Sequence, residues 1–260
     1  MNRIDAKMQA LRGAGRKGFV AFLTAGDPDL EQSEVDIRAA LDNGVDILEL
    51  GVPFSDPTAD GPVIQAASLR ALENGMNLPK VLDLVRRIRK DYDQPIVLFG
   101  YVNLFFRYGY ARLAQDAAEA GVDGILVVDL PYEECGEIVD DLTKNGLYRI
   151  PLAAPTTGVE RLRMILSDAG GFVYYIMVTG VTGARQSVRG DLAERLEAVR
   201  SVTDLPIAVG FGVSNGEQAA AVAESADAVV VGSALIAAAR EGRLTELVQD
   251  IRAGIDKAAS

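Results

Sequence analysis

Eight short runs of β-branched, aliphatic and aromatic residues punctuate the chain: FVAFLT from Phe19, DILEL from Asp46, PIVLFGY from Pro95, GILVVD from Gly124, YRIPLA from Tyr148, FVYYIMV from Phe172, PIAVGF from Pro206 and AVVVG from Ala228. Between them lie segments with helical spacing, such as Val81, Leu82, Val85 and Ile88, or Leu192, Leu196 and Val199. Strand and helix alternate from about Phe19 to the end with no linker, which predicts parallel βαβ units. Eight repeats in a chain of 260 residues predict an α/β fold, a single (β/α)8 TIM barrel over residues 1–260, rather than an open sheet.

Ahead of the first run, Ile4, Met8 and Leu11 recur at i, i+4 and i+7, predicting an extra N-terminal helix within residues 1–15 that covers the barrel floor. At the other end, Leu244, Leu247, Val248, Ile251 and Ile255 share one face of a last helix that closes the ring. The widest gap between runs, from Asp46 to Pro95, puts its extra length after a strand, on the face where barrels carry their chemistry.

Composition removes several function classes. A net charge of −11, from 26 basic and 37 acidic residues, repels a nucleic-acid backbone or an anionic membrane. Arg86, Arg87, Arg89 and Lys90 do cluster, but on an amphipathic helix whose charged face reads as solvated. The N-terminus lacks a signal-like apolar core and no apolar stretch reaches membrane-spanning length, so a soluble, cytoplasmic protein is expected. There is one cysteine and no histidine, which leaves no intrachain disulfide, no zinc-ligand cluster and no histidine-based nucleophile. Cys135, at a helix start in PYEECGEIV, reads as a packing residue, and proton transfer falls to carboxylates, Tyr, Lys or water.

Alternation along DILEL turns Ile47 and Glu49 toward the barrel axis and Leu48 and Leu50 toward the helices. A carboxylate in that place, desolvated by apolar neighbours, keeps its proton near neutral pH and can act as an acid; the alternative is a structural ion pair in the barrel mouth. The loop GVPFSDPTADGP follows, with Asp56 and Asp60 close enough to supply a second proton-transfer group. Asp before Pro or Gly is also ordinary turn chemistry, and Asp60 could help to cap a helix entered at Pro62. Glycine-rich stretches TGVTGAR, GFGVSNG and VGSALI follow the last three strands, matching the phosphate site of many barrels, with Ser233 adding a hydroxyl at the start of the last helix. Phe22, Phe99, Tyr101, Tyr174 and Phe211 lie in or at the ends of different strands, as core or as the walls of a site for a flat apolar ligand.

Taken in order, FVAFLTAGDP, LELGVPFSDPTADGP, GILVVDLPYEE, GVTGAR, GFGVS and VVGSALI resemble the tryptophan synthase α-chain family over essentially the whole chain. The resemblance implies a lyase that cleaves indole-3-glycerol phosphate to indole and glyceraldehyde 3-phosphate by a retro-aldol reaction. It implies Glu49 as the acid that protonates indole C3 and Asp60 as the group that takes or stabilises charge on the indole N–H. Phe22, Ile64, Phe99 and Phe211 would border the indole, with Tyr174 beside Asp60, and Gly183, Gly212, Gly232 and Ser233 would bind the phosphate. Pro53, Asp56 and Pro57 would belong to a mobile loop facing a tryptophan synthase β chain in an α2β2 complex, and Thr182 to a second loop that closes over the substrate. Pyridoxal phosphate would sit in the β chain alone, so no cofactor or metal is expected here.

The sequence departs from the family pattern at Thr58, at Leu104 after Asn103 and at Met177, none of which touches Glu49 or Asp60. A stand-alone lyase is the nearest alternative. A sugar-phosphate isomerase would share the glycine loops but has no use for the Glu49 to Asp60 motif, and a non-catalytic scaffold would need neither acid.

Overall fold

The computed structural model describes residues 1–177, 185–210 and 212–258. Nine parallel strand segments are present among them: β1 (Gly18–Thr24), β2 (Ile47–Gly51), β3 (Ile96–Gly100), β4 (Gly124–Val127), β5 (Tyr148–Arg149), β6 (Leu152–Ala153), β7 (Val173–Ile176), β8 (Ile207–Gly210) and β9 (Ala228–Val231). They hydrogen-bond in the order β5-β4-β3-β2-β1-β9-β8-β7-β6. The sequence predicts eight; the ninth arises because the run at Tyr148 is a single passage that changes partner midway. β5 pairs with β4 and β6 with β7, while Ile150 N–H bonds the Ile125 carbonyl and Pro151 C=O accepts from Tyr174, each at 2.9 Å. Pro151 has no N–H to donate, so the ladder breaks there. The two ends of the sheet are joined by Ile150 and Pro151, and the barrel is closed.

The helices are α1 (Arg3–Gly13), α2 (Leu30–Asp42), α3 (Pro62–Glu73), α4 (Leu78–Ile88), α5 (Val102–Tyr108), α6 (Tyr110–Ala120), α7 (Gly136–Lys144), α8 (Val159–Ile165), α9 (Arg185–Arg200), α10 (Gly216–Ala223), α11 (Ser233–Arg240) and α12 (Leu244–Ala258). The long gap after β2 holds both α3 and α4. The tail is also two helices, parted at Gly242, whose φ of 69° suits glycine, so Ser233 opens the penultimate helix rather than the last. None of the described helices is long and apolar enough to cross a membrane.

Strand alternation divides the core in two. Val20, Ile47, Val97, Leu126 and Phe172 fill the barrel interior, and Ile4, Met8 and Leu11 of α1 pack on the same cluster. Leu48, Leu50 and Leu98 face outward onto helix stripes such as Val81, Leu82 and Val85 of α4. Asn2 caps α1 by accepting from Ile4 N–H at 2.9 Å, and its amide donates to the Asp123 carbonyl at 2.8 Å, tying the helix to the barrel floor.

One device recurs at that floor. Asp46, Asp123 and Asp227, just before β2, β4 and β9, accept from the Phe19, Ile96 and Ile207 N–H groups of the neighbouring strands at 3.0, 2.8 and 2.9 Å. Each also pairs with an arginine: Arg252, Arg89 and Arg200 respectively. Arg89 is therefore not part of a solvated face. Only 11% of its side chain is exposed, and it donates to the Gly121, Tyr92 and Gln94 carbonyls as well as to Asp123. The sequence shows four adjacent cations but not which one turns inward.

Candidate active site

Glu49 occupies the middle of β2, opposite Phe22 of β1 and Val97 of β3. It is fully buried, and neither carboxyl oxygen has a hydrogen-bond partner. Burial alone pushes its pKa up to about 8. A structural ion pair would instead hold a carboxyl down, so that reading does not fit the geometry. A fully buried carboxyl without a partner keeps its proton at neutral pH and is poised to give it away.

Aromatic rings set the space around it. Phe22 and Phe99 meet edge to face with centroids 5.0 Å apart and planes at 78°. Gly51 makes this possible: a Cβ there would stand 2.5 Å from the Phe22 ring. Across the barrel, Tyr174 of β7 has its hydroxyl pKa raised by burial first and then by the Glu49 and Asp60 carboxyls it faces. Gly210 of β8 leaves room for that hydroxyl, since a Cβ there would lie 2.9 Å from it. Ile64, in the first turn of α3, is half-buried against the core.

Asp60 reaches the mouth from the loop after β2. The loop is folded by Thr58 N–H to Asp56 C=O at 2.9 Å and Asp60 N–H to Pro57 C=O at 3.0 Å. Helix α3 begins at Pro62 with Gly61 as N-cap and no side-chain cap, so Asp60 does not serve as one. Its carboxyl is half-buried and its pKa raised by desolvation, with a hydrogen bond from the Tyr101 hydroxyl pulling the other way. Asp56 is exposed and accepts from its neighbour Ser55 at 2.5 Å, Pro57 is half-buried, and Pro53 is buried beneath the loop.

Further round the same rim, beyond β1, β8 and β9 are adjacent and their following loops share the mouth. Gly212 is exposed with φ of 65°, Gly232 is the N-cap of α11, and Ser233 stands exposed at that helix start. A glycine loop beside an open helix N-terminus offers backbone donors to an anion. Thr182, Gly183 and Phe211 lie outside the described residues. Tyr101 is only 2% exposed; its ring is covered by Phe54 and its oxygen accepts from Ala59 N–H at 3.0 Å. Thr24, at the C-terminal end of β1 and in register with Gly51, is a polar group that sequence reasoning missed. It is 4% exposed and its hydroxyl has no partner. The signal was available, because alternation from Val20 and Phe22 turns position 24 inward.

Barrel and mouth together define an acid–base enzyme built at the C-terminal ends of parallel strands. Comparison with known proteins makes the class specific: the model of the family "Tryptophan synthase alpha chain" matches residues 8–257. The chain belongs to the tryptophan synthase alpha chain family. It is 49% identical to the tryptophan synthase alpha chain of Geobacter sp. (strain M21), with 96% of this chain and 94% of that one covered. Among solved structures, tryptophan synthase subunit alpha from Legionella pneumophila superposes with a TM-score of 0.91 at 39% identity, covering 99% of each chain. A chain of Mycobacterium tuberculosis tryptophan synthase superposes with a TM-score of 0.91 at 36% identity, covering 98% of this chain and 99% of that one.

Proposed function

We propose that this chain is the carbon–carbon lyase that cleaves indole-3-glycerol phosphate to indole and glyceraldehyde 3-phosphate in tryptophan biosynthesis. The observation that carries the residue assignment is Glu49, fully buried, unpartnered and with a pKa of about 8. Indole leaves poorly as a carbanion, so C3 must gain a proton before the carbon–carbon bond breaks, and Glu49 supplies it. As the glycerol hydroxyl becomes the aldehyde carbonyl it loses a proton, and the Glu49 carboxylate left by the first transfer takes it. Protonation of C3 has by then placed positive charge on the indole nitrogen, where an ionised Asp60 stabilises it, or takes the N–H proton and returns it as the carbon–carbon bonding pair flows back into the ring. Two carboxyls with different proton affinities divide the work, one neutral and one charged.

Phe22, Ile64, Phe99, Tyr174 and Phe211 border the indole in this reading. Gly183, Gly212, Gly232 and Ser233 hold the phosphate through backbone and hydroxyl donors, and no lysine, metal or cofactor enters the chemistry.

Closure of the loop that carries Thr182 excludes water. A tryptophan synthase β chain, which carries the pyridoxal phosphate, docks against the loop with Pro53, Asp56 and Pro57 to make an α2β2 complex in the cytoplasm. Phe106, 66% exposed on α5 beside Tyr110, supports such docking with an apolar surface on the same side of the barrel.

Indole release from indole-3-glycerol phosphate, measured with and without a β chain, tests the whole reading. A rate that rises strongly with the β chain is expected. A fast rate indifferent to it would replace the complex by a stand-alone lyase, and no rate in either condition would reject the activity. Asp60→Asn is expected to fold normally and to lower kcat about ten- to a hundredfold, the range of a lost charge-stabilising or proton-transfer group. Retention of full kcat would remove Asp60 from the chemistry.

A further inference from the structure

We propose that Tyr101 is a positioning residue that fixes the place of the Asp60 carboxyl over the barrel mouth; the inference rests on the role given to Asp60 above. Tyr101 directly follows β3 and is the N-cap of α5. The first amide of that helix, Val102 N–H, donates to the Asp129 carboxylate at 2.7 Å, so the turn presenting Tyr101 is braced from the segment after β4. Its ring packs on Phe54 with centroids 5.1 Å apart and planes at 31°. The phenol oxygen accepts from Ala59 N–H at 3.0 Å, one residue before Asp60, and the hydroxyl lies close enough to the Asp60 carboxyl to pull its pKa down against burial.

One side chain rooted in the barrel wall therefore grips the backbone one residue before Asp60 and brings its hydroxyl up to the acid. The loop's own bonds, Thr58 to Asp56 and Asp60 to Pro57, fix its shape but not its height over the barrel. Gln65 of α3 donates to the Asp60 carbonyl at 2.9 Å and tethers the far side of the loop, leaving the carboxyl to Tyr101. Tyr101 is buried under Phe54 and held at its hydroxyl oxygen by Ala59 N–H. Its contribution to the substrate passes through Asp60.

Electrostatics point the same way. Asp60 meets Tyr101 from the start of α5, Tyr174 from β7 and, beyond Tyr174, Glu49 from β2; Asp129 lies behind Tyr101. Burial pushes the Asp60 carboxyl toward its neutral form, the form Glu49 holds, and the Tyr101 hydrogen bond works against that. A donor to the ionised form favours that form.

Tyr101→Phe retains the ring against Phe54 and removes only the oxygen. The expected result is a fall in kcat of about ten- to a hundredfold with KM changed less than about threefold, as for a group acting in the transition state. The ascending limb of the kcat/KM profile, set by Asp60, is expected to move to higher pH, while the descending limb of Glu49 stays in place. Phe54→Leu loses the ring contact but keeps the hydroxyl, and its ascending limb is expected not to move.

In the double variant with Asp60→Asn, Tyr101→Phe is expected to add little further loss, because both act through one carboxyl. An unshifted ascending limb in Tyr101→Phe, or losses that multiply in the double variant, overturns the positioning role while leaving Asp60 intact. A fully active Asp60→Asn variant overturns the Asp60 reading itself.

Discussion

Glu49→Gln is expected to lower kcat for indole release by about a hundred- to ten-thousandfold while leaving the fold unchanged, the range over which a positioned acid contributes to catalysis. Glutamine matches the carboxyl in shape and sits in the same apolar pocket between Phe22 and Val97, so rings and loops have no reason to move. What it lacks is an acidic proton. A second signature belongs to the wild-type chain: kcat/KM should fall as pH rises through about 8, because Glu49 loses its proton there. Stopped or coupled assays of indole formation across pH 6 to 9 read both effects. A Glu49→Gln variant within tenfold of wild-type kcat would mean that another group protonates C3.

How much of this was legible in the sequence depends on the physics each residue answers to. Strand periodicity is a short-range steric rule, and it places Ile47 and Glu49 inside and Leu48 and Leu50 outside. The break between β5 and β6 is likewise a consequence of one residue without an N–H, Pro151, although hydrophobic pattern alone reads the segment as an unbroken strand. Asp60 is different. Asp before Gly is what any turn looks like, and only the family resemblance singles it out; the absence of a side-chain cap on α3 removes the competing use. Tyr101 was visible as an aromatic at a strand end, but its hydroxyl partners come from a loop forty residues earlier, a contact that local pattern does not encode. Arg89 fails for the same reason, since its partner Asp123 lies in the next βα unit.

The same substitution is expected to stabilise the protein as it inactivates it, by about 3 kcal/mol at pH 7. In the folded state the Glu49 pKa is raised to about 8 from an ordinary value of 4.5. Between those values the folded chain holds a proton that the unfolded chain has released. Stability contributed by this group is therefore fully present below pH 4.5, declines as pH rises and levels off above 8. Glutamine does not titrate, so the stability difference between variant and wild type should grow from about 1 kcal/mol at pH 5 to its largest value above pH 8. Subtracting the two curves cancels the contributions of every other carboxyl. Urea unfolding of both proteins at pH 5, 7 and 9 measures it, and a difference that stays flat across that range would contradict a buried, proton-holding Glu49. The desolvation that makes the side chain an acid at neutral pH is also what destabilises the fold there, so catalytic competence and stability at this position pull in opposite directions.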